Sequence, residues 1–181
     1  MGQKQGQIPV ETEGITPTYR VALSDITSIA ATATDVFTLS GAAGKIIKVN
    51  SVEITADASS AGVIDFYLYK RTAANTGGTL ATTPSIAQMD SQDPLPLATP
   101  ALYTANPSAL GAGILISGNH YALPAAATTG YPGNPLLETF GDLNGRRLTL
   151  RGPNELFAFN LNGQAIPTGL NIYLRIEWTE E

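Results

Sequence analysis

From Leu170 to Thr179 apolar and polar residues alternate strictly. Leu170, Ile172, Leu174, Ile176 and Trp178 share one phase, while Asn171, Tyr173, Arg175, Glu177 and Thr179 share the other. Successive side chains of a strand point to opposite faces, so this pattern predicts a strand with one buried and one wet face. At about 100° per residue the same positions would scatter around a helix and leave no apolar stripe. Gly62 to Arg71 repeats the pattern, with Ile64, Phe66 and Leu68 opposite Asp65, Tyr67, Tyr69 and Arg71. Between Lys45 and Ala56 the apolar phase changes from Ile47 and Val49 to Val52 and Ile54. A one-residue slip reverses the faces, so a bulge or corner is predicted at Asn50–Ser51. Shorter strands are predicted at Tyr19–Ser24, Val36–Leu39, Leu110–Ser117, Arg146–Leu150 and Glu155–Leu161.

Short strands without an amphipathic helix between them leave no crossover for a parallel sheet. The expectation is all-β: an antiparallel β-sandwich, jelly-roll-like, with long irregular loops and an extended N-terminal arm. Residues 1–18, with three Gly, three Gln and two Pro and no helical period, form the arm, and residues 19–181 form the sandwich domain. Thr72 to Pro107 and Ala125 to Pro135 are rich in breakers and are predicted as long loops, which in compact domains usually carry function or are held by a partner.

Composition narrows the chemistry. Charged residues make up 14 % of the 181 positions, against about 25 % in an ordinary domain, and the net charge is −5. Nucleic-acid binding lacks its electrostatic footprint, and no run approaches the ~18 apolar residues of a membrane span, so neither partner is expected. With no Cys and a single His, thiolate chemistry is absent and the usual zinc ligand sets cannot be completed; no cofactor is expected. His120 falls in Gly118–Tyr121, read as a turn. Asp90 and Asp93 flank Ser91–Gln92 before Pro94, a pattern that suits a capped turn and, secondarily, a structural cation. A glycosidase would require two carboxylates about 5–10 Å apart, with Asp65, Asp90, Asp93 and Glu155 as the candidates.

The remaining candidates are contact residues. Arg147 and Arg151 share one face of a predicted strand, with Arg146 in the other phase, and together they could grip an acidic surface. Tyr67, Tyr69 and Tyr173 lie on the polar faces of their strands, where tyrosines anchor interfaces or stack on sugars, so a carbohydrate-binding module is an alternative. Ile8, Val10 and Ile15 are the apolar residues of the arm, which could add an extended segment to a neighbour's sheet edge.

Several stretches, taken in order, resemble a group of small virion structural proteins of tailed bacteriophages. They are Ala33–Leu39, Lys70–Thr79, Met89–Pro94, Tyr103–Pro107, Leu110–Gly111, Arg151–Glu155 and Asn160–Gly163, within Thr32 to Gly163. The resemblance implies a non-enzymatic capsid decoration or cement protein, located in the virion, assembled in the host cytoplasm and seated on the major capsid protein or other virion proteins. A tail- or fibre-associated role is the alternative within that group. It supplies no catalytic residue. Capsid junctions are symmetric, so a homo-oligomer, with a trimer favoured, would engage them through every subunit at once.

Overall fold

The computed structural model describes residues 16–26, 35–123, 135–141 and 146–181. Twelve strands are assigned among them, in two antiparallel six-stranded sheets. Sheet A contains β1 (Thr18–Ile26), β3 (Ile46–Asp57), β6 (Ala87–Gln88), β9 (Leu136–Thr139), β10 (Leu148–Arg151) and β12 (Asn171–Glu180). Its order is β10-β3-β12-β1-β6, and β9 pairs with β3 beside β10. Sheet B is formed by β2 (Asp35–Ser40), β4 (Gly62–Arg71), β5 (Thr79–Leu80), β7 (Thr99–Ala105), β8 (Gly113–Leu123) and β11 (Leu156–Asn160), ordered β5-β7-β2-β11-β4-β8.

The phases read from the sequence fill the space between the sheets. Ile172, Leu174, Ile176 and Trp178 of β12 are buried against Ile64, Phe66 and Leu68 of β4 and Phe157 and Phe159 of β11 in one hydrophobic core. Within it Phe66 meets Phe159 edge-on with ring centroids 5.3 Å apart, an arrangement aromatic quadrupoles favour, and Tyr19 lies 5.9 Å from Trp178. The predicted bulge is present: Trp178 pairs with Val49 and Glu177 with Ser51, which leaves Asn50 as the extra residue. Its carbonyl accepts instead from Phe140 N–H at 2.8 Å. That single insertion lets Ile47, Val49, Val52 and Ile54 all face inward from one strand.

Four expectations are corrected. Thr72 to Pro107 is not all loop, because β5, β6 and β7 lie in it and β7 extends sheet B beside β2. Most of its Pro and Gly residues mark turns, but Pro100 lies within β7 opposite Leu39; Pro100 and Tyr103 are buried there and Leu102 packs on the core. Gly118–Tyr121 is not a turn: β8 runs through it, with Gly118 opposite Tyr67 and His120 opposite Asp65. A side chain at 118 would stand 2.6 Å from the Tyr67 ring, so glycine here admits an aromatic neighbour. Thr18, placed in the arm, is the first residue of β1 and pairs with Thr179. Arg71, expected on a wet face, is buried.

The middle segment is fastened to the rim of sheet A. Met89 N–H donates to the Thr18 carbonyl, and the Tyr19 hydroxyl donates to the Pro94 carbonyl at 2.7 Å. Burial, followed by the negative charges of Glu180 and Asp93, raises the Tyr19 pKa above the ordinary value. A pKa raised on folding adds stability below the unfolded value and loses it as pH rises toward the folded one. Unfolding free energy should therefore begin to fall above about pH 10, and Tyr19→Phe should flatten that fall. Urea midpoints of both proteins between pH 8 and pH 11 test this; identical profiles would refute it. Tyr121, also raised by burial, remains in both proteins.

Candidate functional site

The outer face of sheet A is charged and ordered in rows. Arg20 pairs with Glu177, and Arg175 with Glu53, each across neighbouring strands. Tyr173 stands beside Thr55 on this face, and its hydroxyl accepts from Asn171. Toward the free edge the sign changes. Lys48, Arg146, Arg147, Thr149 and Arg151 line a concavity of about 360 Å³ along β10. Arg147 and Arg151 thus share a face, as their spacing predicts, and β3 brings Lys48 to them through the Thr149↔Lys48 pairing. Lys48 is bound to Glu181, whereas none of the three arginine side chains has an ion-pair partner among the described residues.

The outer face of sheet B carries Tyr67 and Tyr69, so the three tyrosines do not form one platform: two lie on one side of the sandwich and Tyr173 on the other. Tyr69 is stacked beneath Arg71, whose guanidinium carbon is 4.5 Å from the ring centroid. Arg71 in turn grips Asp35 through Nε (3.0 Å) and Nη2 (2.7 Å) in a two-pronged ion pair. Asn160 Nδ2 and Asn75 Nδ2 donate to the same carboxylate at 2.6 and 2.8 Å. Gly111 closes the ring: its N–H donates to Asn75 Oδ1 and its carbonyl accepts from Arg71 Nη1. A Cβ at 111 would lie 1.7 Å from the Ala73 carbonyl oxygen, so only glycine fits. This cluster joins the starts of β2 and of the turn after β4 to the end of β11, and fastens the Gly111 loop to them. Sequence reading missed it because its bonded partners are 36 to 125 positions apart. The available signal was Arg71 in phase with Tyr67 and Tyr69 along β4.

The edge of sheet B is apolar. Among the described residues β8 pairs with β4 on one side only, and it shows Ile114, Leu115 and Ile116 to solvent at 71 %, 46 % and 36 %. Ile116 is the extra residue of a bulge, since Leu68 pairs with Ser117 and Tyr69 with Leu115. Further along, Ser117 and Asn119 donate to Glu138 of β9, which ties that stretch to sheet A.

The catalytic and metal candidates are engaged separately. His120 Nδ1 lies 2.6 Å from Asp65 Oδ1 as an exposed cross-strand pair. Asp90 Oδ1 accepts from Gln92 N–H, the capped turn expected of it, and Asp93 Oδ2 accepts from Thr18 N–H. Glu155 pairs with Lys70 and accepts from Arg151 N–H. Among the described residues no group of three or more His, Cys, Asp or Glu could hold a metal ion, and no helix is long and apolar enough to cross a membrane. Ile8, Val10 and Ile15 lie outside the described residues. Compared with known protein families, curated proteins and solved structures, the chain matches none.

Proposed function

We propose that this chain is a non-enzymatic virion structural protein of the capsid-decoration type, binding and stabilising a phage head lattice as a symmetric oligomer. The observation that carries this reading is the open edge of β8. A long, uncharged edge strand with exposed isoleucine and leucine is a template for pairing with another chain, and soluble proteins usually block such edges with charge or proline. Here, among the described residues, the apolar stretch carries no such block.

The strand pairing supports a jelly roll as the underlying fold. β1 pairs with β12, β2 with β11, β3 with β10 and β4 with β8, so the ladders nest in sequence as in one long hairpin rolled into two layers. Jelly rolls serve in viral capsids and also in lectins and cupins, so the fold alone does not choose among them. The bare edge favours assembly, and the separation of Tyr67 and Tyr69 from Tyr173 disfavours the three-tyrosine sugar platform.

Images of intact particles from the encoding phage test the reading: ordered density for this chain on the head is expected, and its absence from particles would refute it. Ile114→Lys places a charge on the bare edge at little cost to the fold. It should lower head occupancy on the order of tenfold, as loss of one interface anchor does. Unchanged occupancy would remove β8 from the contact.

A further inference from the structure

The basic groove along β10 points to a specific occupant. Among the described residues β10 is an edge strand, paired with β3 alone. Ile46 exchanges both backbone hydrogen bonds with Glu181, so by ladder alternation Ile47 faces β10, and the backbone of Thr149 faces away from the sheet. Arg151 N–H is already taken by Glu155 Oε2, so the free stretch centres on Thr149. On one side of it Arg147 and Arg151 stand with Lys48; on the other, Leu148 and Leu150 point into the core.

The chain itself contains a matching segment. In Ile8-Pro9-Val10-Glu11-Thr12-Glu13 the even positions are apolar or β-branched and the two carboxylates share the odd phase. Laid antiparallel to β10 with Glu11 opposite Thr149, this stretch sets Glu13 opposite Arg147 and Glu11 one diagonal step from Arg151, with Val10 and Thr12 in line with Leu150 and Leu148. Pro9, which has no N–H, is tolerated on an outermost strand. Resting on the assembly reading above, we infer that the Val10–Glu13 stretch of a second copy adds as a strand to the free edge of β10, its carboxylates held by Arg147 and Arg151.

Reach excludes the chain's own arm. The arm enters at Thr16, beside β1, and a strand added to β10 would lie four strand spacings away, about 19 Å. Glu13 is three residues from Thr16 and extends no more than about 10 Å. Its own β10 is out of range, while that of a neighbour is not. The net charge of −5 makes the basic groove the place where an acidic segment of an acidic protein can dock without repulsion.

Charge reversal on the full-length chain tests this, with mass read by light scattering after size exclusion. Arg147→Glu with Arg151→Glu, and separately Glu11→Lys with Glu13→Lys, should each weaken self-association at least tenfold. Combining all four should restore it, and a mixture of the two double variants should associate where neither does alone. Circular dichroism of each variant checks that the sheets persist; a reversal that loses them is replaced by the corresponding alanine pair, for which the same weakening is expected. Equal association of every variant, or rescue in the fourfold chain without association of the mixture, would overturn the inference, as would a monomeric wild type. Head occupancy measured in parallel separates the two claims: decoration that survives the reversals keeps the assembly reading and discards this interface, and absence of the wild type from heads discards the reading itself.

Discussion

Replacing Asp35 with Ala is expected to lower the unfolding free energy by about 3–5 kcal/mol, the range found when one partner of a buried ion pair is removed. The size follows from what would be left behind. Arg71 is buried with its guanidinium aimed at the missing carboxylate, and the amides of Asn75 and Asn160 lose the same acceptor. An uncompensated charge and two donors left without their acceptor cost more than the intact pair contributes, because a buried charge loses far more by desolvation than a neutral group does. Asp35→Asn keeps the shape but offers one acceptor oxygen where two were used, and should fall between wild type and Ala. Urea denaturation at neutral pH reads both; a loss below about 1 kcal/mol for the Ala variant would show that the cluster can relax or fill with water.

Glu180→Ala should cost nearly as much. Its carboxylate, buried at the end of β12, accepts from the backbone N–H groups of Leu97 and Ala98 and from Trp178 Nε1. The Ala98 and Trp178 donors are buried and the Leu97 N–H is partly so; at about 1–3 kcal/mol for each buried group left unsatisfied, a loss of about 2–5 kcal/mol is expected. The structural consequence is local first: the connection into β7 loses its tether to sheet A. Hydrogen exchange should therefore quicken at Leu97 and Ala98 before it does in the core strands. Uniform exchange across the chain would mean that the tether is redundant.

Alternation along the chain located the eight strands that nest as β1/β12, β2/β11, β3/β10 and β4/β8, and with them the all-β class and the bulge at Asn50. Those features depend on neighbours in sequence. A period of two survives any topology, and a phase slip between Val49 and Val52 has one physical remedy. β7 was hidden because its burial comes from a distant strand, Phe37 of β2 opposite Leu102, rather than from an alternation of its own. β8 was cut short at Gly118 because glycine and asparagine signal a turn unless something covers the strand, and that something is the ring of Tyr67.

For the candidate surfaces the division is similar. Spacing alone brought Arg147 and Arg151 to one face, and pairing then added Lys48. Spacing could not tell that Tyr67 and Tyr173 face away from each other, since the sheet to which a strand belongs is decided by its partners. Nor could it show that Arg71 is buried over Asp35, or that Ile114 is bare. The sequence by itself thus determined which segments extend and which face of each avoids water, because those are short-range consequences of side-chain order. Only the tertiary structure decided which faces are covered a second time and which edges stay open. Burial of an outer face and exposure of an edge depend on where remote segments come to rest, and no local pattern encodes that.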